Sequence, residues 1–300
     1  MQSVIEPCPI LPRTLRIIRA THLGMCFGVR DAIGLALDQA RRQPLTILGQ
    51  LVHNESVVSE LLDRGIGIED QAAEVKTPTV MITAHGASQK TLQRARDQGL
   101  RVLEATCPLV RHAHLAVQQL VREGFHPVII GRRGHVEVCG LTEDLEEFDI
   151  VQTEDDVAQL REHPRFGIAT QTTQPIAQAR QLAQLIQRRF PRSETRFVDT
   201  VCQPTKQRQA AAVELARQSD VVVVIGGATS NNTRELVVTC SRYCTRVHHV
   251  QTAAELSEDW FLDADTVGIT AGTSTPDWIV DEVEERIHQT VQTSGGRGGI

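Results

Sequence analysis

Residues 15–38 read LRIIRATHLGMCFGVRDAIGLALD: a short apolar strand, a turn that carries Cys26, and a segment with apolar residues at helical spacing. The same order of elements occurs twice more in the chain. The second copy, at residues 100–124, is LRVLEATCPLVRHAHLAVQQLVREG and carries Cys107. The third, at residues 195–218, is TRFVDTVCQPTKQRQAAAVELARQ and carries Cys202. Three cysteines in one local context indicate an internal repeat of a strand–turn–helix unit.

Two further strand ends recur after each cysteine. At the first, an apolar strand ends in glycine and a polar residue lies four positions beyond it: His53 in LTILGQLVHN, His135 in VIIGRRGH and Ser230 in VVVVIGGATS. The second ends in a small polar cluster, with His85 in VMITAHGAS, Thr172 in FGIATQTT and Ser274 in VGITAGTS. Ligands of parallel sheets bind at the carboxyl ends of the strands. If the repeats pack about a pseudo-threefold axis, we expect these turns to converge on one site.

The alternation of strands and helices predicts an α/β fold of three small pseudo-threefold-related units, a trefoil, each with a mostly parallel sheet. We assign residues 15–99, 100–192 and 193–290 to the units, and no low-complexity linker separates them. IVQTEDDVAQL and VHHVQT predict an additional short strand in the second and third units. Residues 1–14 predict an N-terminal extension, and residues 291–300 predict a disordered, glycine-rich tail.

Composition and charge narrow the classes of function. The 300 residues carry a net charge of −6 and only 3% aromatic residues, without the basic, aromatic-rich stripe of a nucleic-acid surface. The apolar runs are too short to span a membrane, and the first residues lack the pattern of a secretory signal. The seven cysteines favour reduced thiols or metal ligands over a disulfide framework. We therefore expect a cytoplasmic protein with a small-molecule ligand.

The repeated cysteines are the first candidates for chemistry. A single cysteine is most often a small buried hydrophobic residue. Cys26, Cys107 and Cys202, however, occupy equivalent positions at helix starts, where the helix dipole favours a thiolate. Three thiolates on separate units predict a metal site, either zinc or an iron–sulfur cluster. A cluster with four irons and three cysteine ligands leaves one iron open to a substrate.

The histidines and two motifs of the third unit predict an anion site. Protonated imidazoles at His53, His85 and His135 would donate hydrogen bonds to phosphate oxygens. The motifs SNNTRE and TAGTSTPD would add hydroxyl, amide and backbone N–H donors at Ser230, Asn232 and Ser274. Each of these motifs alone is equally typical of a helix N-cap.

Glu137 is the single carboxylate on a predicted functional turn, two residues after His135 in GHVEV. Beside a histidine in a shielded pocket, it would supply or relay protons. Thr172 in TQTTQP would assist by hydrogen bonding. The ordinary alternatives are that the glutamate is a surface residue and that the threonine only caps the helix that follows it.

Taken in order, nine motifs resemble those of the 4-hydroxy-3-methylbut-2-enyl diphosphate reductase family: GMCFGVRDAI, VHN, AHGAS, ATCPLV, GHVEV, QTT, VCQPTKQRQ, SNNTREL and TAGTSTPD. They cover nearly the whole chain, which makes the resemblance far more specific than any single motif. It implies a trefoil around one [4Fe–4S] cluster with three cysteine ligands, Cys26, Cys107 and Cys202. In the family, the open iron binds the hydroxyl group of the substrate. Loss of this hydroxyl group as water gives isopentenyl and dimethylallyl diphosphates.

The resemblance also implies roles for the remaining residues. The diphosphate would be held by His53, His85, Ser230, Asn232 and Ser274. Asn231, where the family commonly has serine or alanine, is a further candidate for substrate binding. His135 and Thr172 would orient the hydroxyl end, and Glu137 would lie in the proton path. Electrons would come from ferredoxin or flavodoxin, because no dinucleotide-binding motif is present. A divergent paralogue that acts on or senses another phosphorylated ligand, and a zinc-dependent hydrolase, are the alternatives.

Overall fold

The computed structural model describes residues 15–295. Its strands are β1 Arg16–Arg19, β2 Leu45–Leu48, β3 Gly67–Glu69, β4 Thr79–Ile82, β5 Arg101–Glu104, β6 His126–Ile130, β7 Asp149–Val151, β8 Arg165–Thr170, β9 Glu194–Phe197, β10 Val221–Ile225, β11 Val247–Val250 and β12 Thr266–Ala271. Its α-helices are α1 Phe27–Ala40, α2 Glu55–Asp63, α3 Gln89–Asp97, α4 Pro108–Arg122, α5 Val136–Thr142, α6 Glu154–Gln159, α7 Ile176–Arg189, α8 Gln203–Arg217, α9 Asn231–Ser241 and α10 Asp277–Gly295.

The strands between residues 15 and 295 form three four-stranded sheets, with orders β3-β2-β4-β5, β7-β6-β8-β9 and β1-β12-β10-β11. Every pairing within them is parallel. Helices connect the strands, as parallel pairing requires. The predicted α/β fold of three repeated units is therefore confirmed, including the short strands β7 and β11.

The sheets are offset by one strand from the sequence repeats. The strand before each cysteine joins the sheet of the preceding repeat: β5 pairs with β4, β9 with β8, and β1 with β12. The boundaries of 15–99, 100–192 and 193–290 therefore separate sequence repeats and do not coincide with the sheets. Strands β1 and β5 have exposed ends and half-buried centres, which suits the edge of a sheet. Each cysteine consequently lies at the junction of two units.

Alternating side chains of the central strands fill two apolar layers, one on each face of a sheet. In β6, Val128 and Ile130 pack with Leu182 of α7, whereas Ile129 packs with Val117 of α4 on the opposite face. Burying one such side chain contributes about 1.5–3 kcal/mol to folding. The two-sided burial explains why the central strands are continuous apolar runs. It also holds their carboxyl ends, where the candidate site residues lie, in fixed register.

The predicted extension at 1–14 lies outside the described residues, as does the end of the tail at 296–300. Residues 291–295 belong to α10, which corrects the predicted start of the tail. The helix continues because the glycine-rich sequence that disfavours helix begins only at Gly295. Within residues 15–295, no helix is both long and apolar enough to cross a membrane.

Candidate active site

The three repeated cysteines occupy equivalent positions in the structure. Each is the N-cap residue of a helix: Cys26 of α1, Cys107 of α4 and Cys202 of α8. The backbone N–H of each cysteine donates to a carbonyl in a turn that follows a central strand. The acceptors, at 2.9, 3.1 and 2.9 Å, are the carbonyls of Thr273, Ala84 and Thr172. Each cysteine is therefore fastened to one of the turns that carry candidate binding residues.

The surroundings of the thiols suit metal ligation. Burial raises the pKa of Cys107, and it raises the pKa of Cys202 to about 11. Backbone N–H groups in the first helical turns lower both pKa values. The charges of Cys26 and Glu137 raise both pKa values, so these two groups lie within electrostatic range of Cys107 and of Cys202. A bound metal would compensate the cost of burying three thiolates, and the donor set therefore fits a thiolate-bound centre.

Arg208 of α8 is a buried cation beside these thiols. Its Nε and Nη2 atoms donate to the Gly24 carbonyl at 3.0 and 2.7 Å, and Nη1 donates to the Pro204 carbonyl at 3.0 Å. Burial lowers the pKa of Arg208, whereas the charges of Cys26 and Cys202 raise it. This arginine fixes the turn before Cys26 against α8. Sequence analysis did not identify it, because nothing in its local motif separates it from the many exposed arginines.

His53, His85 and His135 face one another across a small cavity. Their ring centroids lie 4.8 Å apart for His53 and His85, 5.1 Å for His53 and His135, and 5.6 Å for His85 and His135. The cavity has a volume of about 30 Å³. Both ring nitrogens of His53 are buried without a hydrogen-bond partner. Buried polar atoms are nearly always paired, so these nitrogens indicate a place for a ligand.

In the site without a ligand, burial favours the neutral form of the three histidines. Burial lowers the pKa of His53, lowers that of His85 well below its usual value, and lowers that of His135 to about 3. The positive charge of Arg132 adds to the effect at His53 and His135. A bound anion acts in the opposite direction and raises these pKa values. Protonation of the histidines is therefore expected only together with anion binding.

The tautomer of His135 follows from its role as the N-cap of α5. Its Nδ1 accepts the backbone N–H of Glu137 at 3.1 Å. In the neutral ring the proton must then be on Nε2. The remaining ring N–H of His135 is therefore a hydrogen-bond donor even without protonation.

The third unit contributes Ser230 and Asn232 to the same cavity. The Ser230 hydroxyl oxygen caps α9 by accepting the backbone N–H of Thr233 at 3.3 Å, which leaves its hydrogen available. The Asn232 Oδ1 accepts the backbone N–H of Thr273 at 3.0 Å. Its Nδ2 is buried without a partner. Both side chains thus retain a donor at a helix N-terminus, where the dipole favours an anion.

Asn231 and Ser274 also line the cavity, and they connect the third unit to the other two. The Asn231 amide donates to the Thr173 hydroxyl at 3.1 Å. The Ser274 hydroxyl donates to the backbone carbonyl of His53 at 3.3 Å. These contacts complete a cavity wall that draws residues from all three sheets.

Glu137 and Thr172 form a buried pair beside the cavity. The backbone N–H of Thr172 donates to Glu137 Oε1 at 2.6 Å, and its hydroxyl donates to Oε2 at 3.0 Å. Burial raises the pKa of Glu137 to about 7, although both hydrogen bonds lower it. Both residues are fully or nearly fully inaccessible to solvent. A carboxyl group with this pKa can hold or release a proton near neutral pH.

The other described cysteines are not equivalent to the three repeated ones. Cys139 is exposed on α5 and lines an adjoining cavity of about 320 Å³, which His53 also borders. Cys240 and Cys244 share one apolar layer, in which Cys240 lies on α9 and Cys244 follows the end of that helix. All the predicted site residues except Glu137, Thr172 and the three repeated cysteines line the histidine cavity itself.

Comparison with known proteins yields one family. The family model described as LytB protein matches residues 17–288. A relative named 4-hydroxy-3-methylbut-2-enyl diphosphate reductase, from Trichlorobacter lovleyi, is 38% identical over 92% of this chain and 98% of its own length. A relative of the same name from Aquifex aeolicus is 36% identical over 91% of this chain and 96% of its own.

Two solved structures share the fold. A structure of (E)-4-hydroxy-3-methyl-but-2-enyl diphosphate reductase is 36% identical, covers 92% of this chain and 100% of its own, and gives a TM-score of 0.66. The E-1-hydroxy-2-methyl-but-2-enyl-4-diphosphate reductase from Plasmodium falciparum is 26% identical, covers 90% and 87%, and gives a TM-score of 0.84. Because the family model spans nearly the whole chain, this protein belongs to the LytB protein family.

Proposed function

We propose that the chain removes the hydroxyl group of 4-hydroxy-3-methylbut-2-enyl diphosphate reductively, giving isopentenyl and dimethylallyl diphosphates. The substrate takes up an electron pair and protons, its C–O bond breaks, and water leaves. Relatives that align over nearly their full length carry the name of this reductase. The proposal rests on one structural observation. The turns that carry the three repeated cysteines are hydrogen-bonded to turns beside a cavity, and that cavity is lined by polar atoms without hydrogen-bond partners.

Cys26, Cys107 and Cys202 would hold a [4Fe–4S] cluster through three thiolates. Such a cluster, with one iron free of protein ligands, supplies Lewis-acid and electron-transfer chemistry when bound. The protein supports the thiolates through the N-termini of α1, α4 and α8 and through the buried charge of Arg208.

The diphosphate would bind to His53, His85, Ser230, Asn231, Asn232 and Ser274. Anchoring the diphosphate fixes the position of the substrate in the site. The binding energy of this end therefore orients the C–O bond that breaks at the other end. The cavity of about 30 Å³ has room for little more than one water molecule. Substrate entry therefore requires the imidazoles to turn or the three units to separate.

His135 and Thr172 would orient the hydroxyl end, and Glu137 would provide the proton. The His135 Nε2–H is free to donate, because Nδ1 is engaged by the backbone of α5. Glu137 has a pKa of about 7 and is held by Thr172 in a defined orientation. Protonated Glu137 would pass its proton to the leaving oxygen, either directly or through Thr172. Water would not supply this proton in its place, because the carboxyl group is buried.

The electrons would come from a ferredoxin or a flavodoxin, since the reaction consumes an electron pair and the sequence has no dinucleotide-binding motif. The cysteine ligands must stay reduced for this chemistry. That requirement agrees with a cytoplasmic location, which forms part of the proposal.

The decisive experiment measures iron, acid-labile sulfide and turnover on protein purified without oxygen. We expect about four irons per chain, matching sulfide, and reductant-dependent conversion of the diphosphate. The Cys107→Ser variant should lose most of this iron, whereas Cys139→Ser, at an exposed cysteine outside the junction, should retain it.

Three outcomes would contradict parts of the proposal. Stoichiometric zinc without sulfide would favour the zinc-dependent hydrolase. A loaded cluster without turnover would favour a paralogue that senses or acts on another phosphorylated ligand. Full iron loading of the Cys107→Ser variant would exclude Cys107 as a ligand.

A further inference from the structure

A second cluster of possible metal ligands lies at the opposite end of the second sheet. His126 begins β6 and Asp149 begins β7, while His163 lies in the turn before β8. Strands β7, β6 and β8 are neighbours in the sheet. The three side chains therefore meet at the amino ends of adjacent strands. The candidate active-site residues follow the carboxyl ends of the same strands, roughly 17 Å away along β6.

The donor atoms of this trio are close to one another. The His126 Nε2 lies 2.8 Å from Asp149 Oδ2. The His126 and His163 rings stack with centroids 3.7 Å apart and an angle of 8° between their planes. One ligand atom from each residue can be chosen so that all three lie within 4.8 Å. The Phe166 ring is nearly perpendicular to both imidazoles, with its centroid 6.2 Å from that of His126 and 5.6 Å from that of His163.

We propose that His126, Asp149 and His163 bind one divalent transition-metal ion of the zinc class. Two imidazole nitrogens and one carboxylate oxygen form a ligand set that zinc, nickel and cobalt accept. The remaining coordination positions would be filled by water, since Asp149 is 38% exposed. This donor set is independent of the cysteine junction and of the histidine cavity.

Binding requires local side-chain movements. Metal–nitrogen bonds of about 2.0–2.1 Å place neighbouring ligand atoms roughly 3–3.5 Å apart in tetrahedral or octahedral geometry. The His126 Nε2 and Asp149 Oδ2 atoms, 2.8 Å apart in a direct hydrogen bond, need only a small separation to reach this spacing. Two stacked imidazoles cannot both direct a lone pair at one ion, so the His163 ring must turn about its side-chain bonds. Its backbone can stay in place, where the Ser193 hydroxyl donates a hydrogen bond to the His163 carbonyl at 2.7 Å.

Two carboxylates lie within electrostatic range of His163. Burial and the charges of His126 and Arg161 lower the pKa of His163, whereas the carboxylates of Asp149 and Glu147 raise it. The lowered pKa keeps the His163 imidazole neutral, which is the form that binds a metal ion, and the two carboxylates supply negative charge beside it. The ion would replace the hydrogen bond between His126 and Asp149 and would join the starts of three strands.

The expected consequence is stability of the second sheet without an effect on the reaction. Strand β7 has only three residues and lies at the sheet edge. A ligand shared by β7, β6 and β8 would oppose its separation from the sheet. Binding to the folded state alone raises the melting temperature as the free ion concentration rises.

Zinc titration of the cluster-loaded protein under anaerobic conditions tests the proposal. Calorimetry gives the number of zinc equivalents bound, and scanning calorimetry gives the change in Tm at excess zinc. We expect His163→Ala to bind one equivalent less than the wild type and to lose the zinc-dependent rise in Tm. His288→Ala, an exposed histidine of α10, serves as the matched control and should behave like the wild type. Turnover should be unchanged in both variants.

A second variant separates metal binding from folding. Asp149→Asn keeps a side chain of the same size and a hydrogen-bond acceptor for His126, and it removes the anionic ligand. It should weaken zinc binding at least tenfold while its Tm without zinc stays close to that of the wild type. Equal zinc stoichiometry in the wild type and His163→Ala, together with an unchanged zinc affinity in Asp149→Asn, would overturn the proposal and leave the trio a purely structural contact.

Discussion

At the level of single residues, the protonation state of Glu137 can be tested through the pH dependence of turnover. Its pKa of about 7 results from burial, which outweighs two hydrogen bonds from Thr172. The acid form is therefore present below pH 7 and is lost as the pH rises through 7. If this form delivers the proton, turnover should fall above pH 7. Glu137→Gln should lower turnover about 10²- to 10⁴-fold and remove this limb of the pH profile.

The control for this prediction is Glu146→Gln, which changes an exposed glutamate beyond the end of α5. It should leave both the rate and the pH profile unchanged. Iron and sulfide content must stay constant in both variants, so that the loss reports on the proton and not on the cluster. A near-normal rate in Glu137→Gln would refute the proton role.

The neutral histidines lead to a second prediction, which concerns proton uptake on binding. His53, His85 and His135 have lowered pKa values in the free site, with burial as the largest cause. A diphosphate in the cavity raises these values and favours the charged imidazoles. Binding should therefore take up protons at pH 7, and affinity should increase as the pH falls. Calorimetry in buffers with different ionisation enthalpies measures the number of protons.

His53→Asn should reduce this uptake, because it removes one imidazole that titrates on binding. His112→Asn, at an exposed position of α4, provides the control and should leave the uptake unchanged. The same binding enthalpy in all buffers for the wild type would rule out coupled protonation. Titration of the diphosphate itself is common to all variants and cancels in the comparison.

At the level of elements, the close approach of α1 to the neighbouring repeat depends on one glycine. A Cβ atom at Gly28 would lie 2.5 Å from Cys107 Sγ, closer than any ordinary contact. Gly28→Ala should therefore push α1 away from Cys107 and reduce cluster retention by at least half. Gly34 lies on the same helix, and a Cβ there would meet no atom within 4 Å. Gly34→Ala should retain full iron loading and gain up to about 1 kcal/mol of helix stability.

Iron content after anaerobic purification distinguishes the two alanine variants. Circular dichroism shows whether both remain folded, so that a defect in Gly28→Ala can be assigned to the junction. If Gly28→Ala loaded the cluster as well as Gly34→Ala, α1 and Cys107 would not be as closely packed as the structure indicates.

Local sequence patterns predicted the strand–turn–helix units and the position of Cys26, Cys107 and Cys202, because capping and periodicity act over a few residues. They did not predict that β1 pairs with β12, since pairing between distant strands depends on the whole fold. Arg208 was missed for the same reason: its acceptors include a backbone carbonyl at Gly24, far away in the chain. Burial, which sets the histidine pKa values, is likewise a property of the assembled molecule.

At the level of the whole molecule, the first and last repeats close a ring. Strand β1 joins the sheet of the third repeat, and Arg208 of α8 holds the turn before Cys26. The cysteines lie at the three junctions that this arrangement creates. A cluster at that position would bridge all three units.

A cluster-bridged ring should melt at a higher temperature than the same chain without its cluster. Binding to the folded state alone at 100 to 1,000 times the dissociation constant adds about 2.7–4.1 kcal/mol, which corresponds to a Tm increase of roughly 5–15 °C. Chelation of the iron should remove this increment, and Cys107→Ser should melt near the temperature of the cluster-free wild type. Cys139→Ser, at an exposed cysteine, should melt with the loaded wild type. Equal Tm values for loaded and cluster-free protein would mean that the three junctions are held by side-chain packing and hydrogen bonds alone, and that the metal centre serves the chemistry without supporting the fold.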